Sequence, residues 1–193
     1  MAPALTHILV VAATDRELAA SNGWRTLRCG VGPVDAAAAT AAAIAAERPL
    51  LILHVGIAGA RRHATLAAPA LIIGSDAQYC DLTVPERFAP RVITTPDDLL
   101  DAARRALPNA LCRSIGTSAR VGGAMTSDCD VEAMEGFAVL RAAQLAGVPA
   151  IEIRAIANEI EEPDRAKWHF DAAFDAITGA TPRLVAELLT CAR

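Results

Sequence analysis

The sequence predicts an α/β layer fold built on a mostly parallel sheet. Short, continuous apolar runs recur along the chain, and segments with helical character lie between them. Unbroken apolar runs are typical of strands that are buried on both faces. Strands that alternate with helices indicate layered packing. No internal repeat or linker interrupts the pattern, so we expect the 193 residues to form a single domain, residues 1–193.

The predicted strands are the apolar runs, several of which end in glycine. They cover residues 7–13 (HILVVAA), 24–32 (WRTLRCGVG), 50–60 (LLILHVGIAGA), 70–79 (ALIIGSDAQY), 112–123 (CRSIGTSARVGG) and 149–158 (PAIEIRAIAN). In the third run, GIAGA is predicted to be a small-residue loop or tight turn. Ligands of open α/β sheets bind beyond the carboxyl ends of the strands. This rule directs attention to the polar residues that follow these runs.

The predicted helices have recognisable start and stop signals. A helix is expected to start at residues 14–20, with Thr14 as N-cap and Glu17 at the third helical position, which is a capping box. Pro33 lies near the start of the next helix and Gly147 after the end of a later one. The remaining helices are predicted at residues 33–47, 94–107, 134–147 and 168–189, the last with a break near Gly179.

Composition and charge exclude several classes of function. The chain is 53% hydrophobic with a net charge of −4, so it has no electrostatic footprint for nucleic acid or an anionic membrane. Its five cysteines form no C-x-x-C pair, which favours reduced thiols over a zinc site or a disulfide framework. No basic segment precedes the first apolar run and no stretch is long enough to span a bilayer. We therefore expect a cytoplasmic protein without a metal or cofactor.

A few polar residues in or after the apolar runs are candidates for chemistry. Glu17 is either the second half of the capping box or a carboxylate that takes a proton from water. Asn158 is either a turn former or a residue that reads the edge of a base, because its amide both donates and accepts. His54, inside an apolar run, is interpreted as a satisfied core histidine. Arg154, if buried, needs a partner, which Glu152 or Glu135 can supply.

Several segments in order resemble the purine nucleoside phosphorylase and nucleosidase superfamily. VEAMEGFAV (131–139) resembles the V-E-x-M-E-x segment that opens a helix beside the ribose, and IRAIAN (153–158) resembles a strand of R-A-I-S-D type. AATDRE (12–17) falls where the first strand leads to a catalytic glutamate. CGVGPVDAAAATAAAI (29–44) is similar to the S-G-I-G-x-x-x-A-A helix and GIAGA (56–60) to the G-S-A-G-G loop. The resemblance covers most of the chain and implies a three-layer fold with a mixed, mostly parallel sheet.

The resemblance also implies roles for individual residues. Glu17 matches the catalytic glutamate and Asn158 takes the position of the catalytic acid that handles the base. Met134 and Glu135 match the ribose-binding pair, with Gly136 leaving room for the helix end to approach the ligand. The pocket lining matches at Ile57, Ala58, Val121 and Gly122, the last two standing where the family often has an aromatic that stacks on the base. A purine nucleoside as ligand and a homodimer or larger assembly follow from the same resemblance.

The residues favour hydrolysis over phosphorolysis. Related phosphorylases hold phosphate with arginine and serine around the G-S-x-G loop, whereas this chain has His54 and Ile57 there. A dianion needs charge-assisted donors, and an isoleucine side chain offers none. Asn158 cannot serve as the acid that protonates adenine, but its amide suits a 6-oxopurine such as hypoxanthine. Within the superfamily, residues 131–149 and 153–168 resemble futalosine hydrolases most.

The sequence leaves several alternative functions open. They are a nucleosidase of the methylthioadenosine/adenosylhomocysteine type, a purine nucleoside phosphorylase, and a phosphorylase-like relative in hopanoid side-chain formation. A nucleoside-binding protein that has lost catalysis is the alternative from a different functional class.

Overall fold

The computed structural model describes residues 5–20, 22–123 and 127–191. Its strands are β1 (Ile8–Ala12), β2 (Arg25–Arg28), β3 (Leu51–Ala60), β4 (Leu71–Tyr79), β5 (Val92–Thr94), β6 (Leu111–Thr117), β7 (Val131–Ala133) and β8 (Ala150–Glu159). Its α-helices are α1 (Pro33–Ala46), α2 (Asp97–Ala106), α3 (Gly136–Leu145) and α4 (Phe170–Leu188). Three short 3-10 helices connect these elements at Leu5–His7, Arg62–Ala64 and Arg165–Lys167.

The strands form one mixed sheet in the order β2-β1-β3-β7-β6-β4-β5, and β8 pairs with both β3 and β4. Five of the strand pairs are parallel: β1–β2, β1–β3, β3–β8, β4–β6 and β6–β7. Three are antiparallel: β3–β7, β4–β5 and β4–β8. β3, β8, β4, β6 and β7 pair in a closed ring, in which β3 and β8 run antiparallel to β4, β6 and β7. The predicted mixed, mostly parallel sheet is confirmed.

Helices cover both faces of the sheet and make the fold three-layered. Leu9, Val11 and Ile52 point to one face, where they share a core with residues of α1 and α3. Their neighbours along the strands, including Val10 and Leu53, point to the opposite face and pack with residues of α2 and α4. Alternation of side chains across a strand explains why these strands carry apolar residues on both faces.

Three predicted features are wrong in detail. Residues 14–20 form turns rather than a helix, because the Glu17 carboxylate accepts a hydrogen bond from the backbone N–H of Ile57 in β3. GIAGA lies within β3 and is not a loop. α4 continues through Gly179 and Pro182 without a break. Glycine and proline cost a helix about 1 and 3 kcal/mol, and the long buried face of α4, which includes Ile177, Leu184 and Leu188, outweighs this cost.

All five cysteines are free thiols, as predicted, and Cys29, Cys80 and Cys129 are buried. Within the described ranges, no helix combines the length and the apolar character that crossing a membrane requires.

Candidate active site

A cavity of about 300 Å³ lies where β1, β3, β6, β7 and β8 end. All eight residues that the sequence predicts for the site line this cavity: Glu17, Ile57, Ala58, Val121, Gly122, Met134, Glu135 and Asn158. They come from segments far apart in the chain, and the closed ring of strands brings them together. The prediction that these residues lie around one pocket therefore agrees with the fold, whereas their chemical roles remain predictions.

Glu17 is buried in the turn that follows β1, with only 3% of its surface exposed. Its Oε2 accepts hydrogen bonds from the backbone N–H and the hydroxyl of Thr14, at 2.9 and 2.8 Å. Its Oε1 accepts a hydrogen bond from the backbone N–H of Ile57 in β3, at 3.1 Å. The capping-box contact to Thr14 thus forms without a helix, and burial raises the pKa of Glu17, opposed by the charge of Arg154.

Glu135 immediately precedes α3 and is also buried, with 4% of its surface exposed. Its Oε1 accepts a hydrogen bond from the backbone N–H of Gly32, at 3.0 Å, just before α1 begins. Its Oε2 lies 3.4 Å from Nη2 of Arg154. The start of α1 and the start of α3 therefore hold this carboxylate between them at the edge of the cavity.

Arg154 is buried at the centre of the site and has the partners that its burial requires. Its Nε donates to Oε1 of Glu152 at 2.7 Å, and its Nη2 contacts both Glu135 and Nε2 of His54, the latter at 2.6 Å. Because a guanidinium only donates, Nε2 of His54 must accept, and Nδ1 then donates to the carbonyl of Val11 at 3.0 Å.

Burial and the nearby Arg154 lower the pKa of His54, which keeps it neutral. The interpretation of His54 as a satisfied core histidine is confirmed. The expectation that Glu152 or Glu135 pairs with Arg154 is also confirmed, since both do. Below, the buried charge cluster means Glu17, His54, Glu135, Glu152 and Arg154.

Two glycines make room for this cluster. A Cβ atom at Gly56 would overlap Nη1 of Arg154 and lie 2.8 Å from Oε1 of Glu17. A Cβ atom at Gly136 would overlap the carboxyl group of Glu152. That Gly136 lets the start of α3 approach the ligand stays a prediction; in the structure the space beside Gly136 holds the carboxyl group of Glu152.

Asn158 lies at the end of β8, half-buried, beside Gly59 of β3. Its Nδ2 donates one hydrogen bond to the backbone carbonyl of Glu159, at 2.8 Å. An amide side chain has two N–H donors and one acceptor oxygen. Among the described residues Asn158 has no other hydrogen bond, so one donor and Oδ1 remain for a ligand in the cavity.

The outer wall of the cavity consists largely of residues that no sequence motif predicted. Arg120, Arg165, Trp168, Phe170 and Phe174 line it, in addition to the predicted Val121 and Gly122. These seven residues are exposed or half-buried and are called the pocket rim below. The Arg165 guanidinium lies 5.2 Å from the centre of the Trp168 ring, and the Trp168 and Phe170 rings are 5.4 Å apart. The sequence does contain an indication of this aromatic wall, since three of the chain's seven aromatic residues fall within residues 168–174.

Glu132 is a further lining residue for which the sequence predicted no role. It belongs to β7, is 5% exposed and forms an ion pair with Arg61, which follows β3. Arg61 also lies 3.7 Å from Glu161. This ion pair connects the segment after β3 to β7.

Comparison with known proteins identifies the family. The model of the phosphorylase superfamily matches residues 25–190. The chain is 34% identical over 190 residues to the futalosine hydrolase of Streptomyces coelicolor, covering 84% of this chain and 79% of that protein. It is 30% identical over 191 residues to the futalosine hydrolase of Thermus thermophilus, covering 86% and 83% of the two chains.

Solved structures with the same fold include enzymes of two kinds. A futalosine hydrolase mutant of Helicobacter pylori matches with a TM-score of 0.80 and 17% identity, covering 93% of this chain and 98% of that one. A methylthioadenosine/adenosylhomocysteine nucleosidase of Streptococcus pneumoniae, solved with a transition-state inhibitor, matches with a TM-score of 0.79 and 19% identity, covering 95% and 99%. The sequence matches and the shared fold agree, and the chain belongs to the phosphorylase superfamily, in the family of the futalosine hydrolases.

Proposed function

We propose that this protein hydrolyses the N-glycosidic bond of futalosine and releases hypoxanthine and dehypoxanthine futalosine. The observation that carries the proposal is the meeting of Glu17, Glu135 and Asn158 around one cavity. A water-activating carboxylate, a ribose-binding carboxylate and a base-reading amide are the groups that hydrolysis of a 6-oxopurine nucleoside needs. The kinship with futalosine hydrolases supports futalosine as the substrate.

Glu17 acts as the general base in this proposal. Its carboxylate takes a proton from a water molecule while the water oxygen bonds to C1′ of the ribose. The bond between C1′ and N9 breaks, and its electron pair leaves with the base. The raised pKa of Glu17 suits this role, because a stronger base accepts a proton more readily near neutral pH. Burial lowers the effective dielectric constant around Glu17 and strengthens the effect of its charge.

Glu135 and Met134 bind the ribose. Glu135 accepts hydrogen bonds from the 2′- and 3′-hydroxyls, and Met134 packs against the sugar. As the bond to the base breaks, positive charge grows on the ribosyl ring, and the negative charge of Glu135 stabilises it. The hydrogen bond from Gly32 fixes the carboxylate before the substrate arrives, so little reorganisation is needed.

Asn158 recognises the base. The N–H that is not bonded to Glu159 donates to the 6-oxo group or to N7, and Oδ1 accepts when N7 carries a proton. An amide cannot transfer a proton to the departing base, so the base takes that proton from solvent. The base lies against Ile57, Ala58, Val121 and Gly122 in this proposal.

The arrangement around β3 favours water over phosphate as the nucleophile. His54 is buried and committed to Val11 and Arg154, and Ile57 presents no side-chain donor. Arg154 is already bonded to two carboxylates, which leaves less of its charge for an incoming dianion. Phosphate binding depends on charge-assisted donors, which these residues do not supply.

The wider setting follows from the same proposal. The protein acts in the cytoplasm on a step of menaquinone biosynthesis, as one domain over residues 1–193, and assembles as a homodimer or larger oligomer. Size-exclusion chromatography with light scattering tests the assembly: a mass near 20.1 kDa would contradict it, and a multiple of that mass would support it.

The test of the activity is a comparison of substrates and buffers. Purified protein is incubated with futalosine, inosine, methylthioadenosine and adenosylhomocysteine, with and without phosphate, and the released bases and sugars are identified. We expect hypoxanthine from futalosine at equal rates in both buffers. Ribosyl phosphate would indicate a phosphorylase, adenine release a nucleosidase of the methylthioadenosine type, and tight binding without any released base a protein that has lost catalysis.

A further inference from the structure

Glu152 is a buried carboxylate that has no part in the proposed reaction. It lies in β8, has none of its surface exposed and does not line the cavity. Its Oε1 makes the shortest contact of Arg154 with a carboxylate, at 2.7 Å, against 3.4 Å for Glu135. Its Oε2 has no hydrogen-bond partner among the described residues. A buried charged oxygen without a partner is costly, which raises the question of what this residue does.

The fold reserves space for the pair of Glu152 and Arg154 on three different elements. Gly56 of β3 lies beside Arg154, and Gly136 at the start of α3 lies beside the carboxyl group of Glu152. A Cβ atom at Gly74 of β4 would lie 3.0 Å from the backbone oxygen of Glu152. Any other residue at Gly56 or Gly136 would overlap one member of the pair. The position of Glu152 against the start of α3 also favours its negative charge, since helix N-termini carry partial positive charge.

The charges that face Arg154 are unbalanced. Three carboxylates surround one guanidinium: Glu152 from β8, Glu135 at the start of α3 and Glu17 after β1. His54 of β3 is neutral. Burial raises the pKa of Glu152 itself, and the charge and the hydrogen bond of Arg154 oppose this by favouring the ionised carboxylate. Two further groups lie close by: burial raises the pKa of the Cys29 thiol to about 12, so it is uncharged, and Asp76 of β4 adds to the rise in the pKa of Glu152. The positive charge of Arg154 is therefore shared among several carboxylates that compete for it.

We propose that Glu152 is a positioning residue: it holds Arg154 back from Glu17, and so leaves Glu17 basic enough to take a proton from water. Glu152 acts only through Arg154 and does not touch the substrate. The proposal rests on the proposed function for the meaning of Glu17 as a base, but the arrangement of charges can be tested without any reaction.

The physical reason is competition for one cation. An opposite charge within a few ångströms lowers the pKa of a carboxyl group, and Arg154 has this effect on Glu17. When Glu152 loses its charge, the guanidinium pairs more strongly with the carboxylates that remain, and one nearby negative charge disappears. Both changes favour the ionised form of Glu17 and make it a weaker base.

The test is a direct titration of Glu17 by NMR. The carboxyl carbons of the glutamates are followed from acidic to neutral pH, and the Glu17 signal is assigned by its loss in Glu17→Gln. In Glu152→Gln we expect the Glu17 midpoint to fall by about 1–3 pH units. The matched control is Glu47→Gln, which removes an exposed carboxylate 3.4 Å from Arg25 and should leave the midpoint unchanged. A Glu17 midpoint that stays or rises in Glu152→Gln overturns the proposal.

A second variant covers the case in which Glu152→Gln does not fold. Gly136→Ala retains every ionisable group but displaces the Glu152 carboxyl, so the Glu17 midpoint should also fall. Gly179→Ala is its control, because nothing lies near that position. An unchanged midpoint in Gly136→Ala overturns the proposal.

Kinetics separate this inference from the proposed function. With futalosine, Glu152→Gln should lower kcat near neutral pH and move the acidic limb of the pH profile to lower pH. A merely structural role would lower kcat at every pH and leave the limb in place, which would contradict the inference. Wild-type protein that releases no base from futalosine would contradict the proposed function instead, while the NMR midpoints would still decide the role of Glu152.

Discussion

Three members of the buried charge cluster, Glu17, Glu135 and Arg154, line the same cavity as the pocket rim, but the cluster and the rim differ in how their residues are held. Arg154 is 1% exposed and bonded to Glu152, His54 and Glu135, whereas Val121 in the rim is 63% exposed. The residues of the cluster lie on β3 and β8, at the start of α3 and, for Glu17, in the turn after β1, where hydrogen bonds from Thr14 and Ile57 fix the carboxylate. The rim consists of connecting segments, a 3-10 turn and the first residues of α4.

This difference indicates that the buried charge cluster serves the chemical step and the pocket rim serves binding. Groups that must meet a growing charge need fixed positions, and buried hydrogen-bonded residues on regular elements provide them. Groups that surround the rest of the ligand tolerate movement, so aromatic rings on exposed segments suffice. Substitutions in the cluster should therefore lower kcat, and substitutions in the rim should raise KM.

The largest expected effect is that of Glu17→Gln. We expect kcat to fall by about 10²–10⁴-fold, since this is the usual contribution of a general base, while ligand Kd stays within a few-fold. Measuring kcat and Kd on one preparation checks this. If Glu17 only stabilises its turn through Thr14, glutamine will serve there equally well and kcat will stay near normal.

Glu135→Gln should have the second-largest effect on activity. The change retains the shape of the side chain but removes the charge, so the cationic transition state suffers more than bound substrate. We expect kcat to fall by an amount equal to about 1.5–3 kcal/mol, with a smaller change in KM. Glu47→Gln is the exposed control. A rise in KM with kcat unchanged would mean that Glu135 binds the ribose without stabilising the transition state further.

Asn158→Asp should alter the preference between bases. A carboxylate facing the 6-oxo group has no donor unless protonated, and an unpaired buried polar group costs about 1–3 kcal/mol. Activity on a hypoxanthine nucleoside should fall, and any trace activity on an adenine nucleoside should rise. The quantity to measure is the ratio of kcat/KM for the two bases. An unchanged ratio would mark Asn158 as a turn residue and remove the basis for a 6-oxopurine.

Trp168→Ala should have the smallest effect and should act on binding. Loss of an aromatic contact costs about 0.5–1.5 kcal/mol beyond the buried area, so KM should rise several-fold with kcat little changed. Phe88→Ala is the control, because Phe88 is 72% exposed and lies outside the cavity. A fall in kcat as large as the rise in KM would mean that the rim also supports the chemical step.

The sequence predicted the long, buried strands better than the short strands and the irregular segments. Continuous apolar runs correctly indicated β1, β3, β4 and β8, because each is buried on both faces. β5 and β7 were missed because strands of three residues carry no periodicity. The helix at residues 14–20 was wrong because a hydrogen bond from Ile57, 40 residues away, holds Glu17, and no local pattern contains such a contact.

The prediction of the site was limited in the same way, because local patterns do not contain contacts between distant parts of the chain. Motif order placed Glu17, Glu135 and Asn158 on one cavity, since resemblance carries information about tertiary position. GIAGA was read as a turn because glycine usually marks one. In the structure Gly56 is a strand residue whose missing side chain admits Arg154, a requirement imposed by β8.

The pH dependence of kcat/KM for futalosine tests most directly the claim that Glu17 activates water. Glu17 must be ionised to take a proton, and burial raises its pKa above the ordinary value of 4.5. Activity should therefore be present above this raised pKa and be lost as the pH falls through it. We expect an acidic limb with its midpoint above pH 4.5, absent from the residual activity of Glu17→Gln. A profile that stays flat down to pH 4.5, or a limb that persists in Glu17→Gln, would contradict the claim.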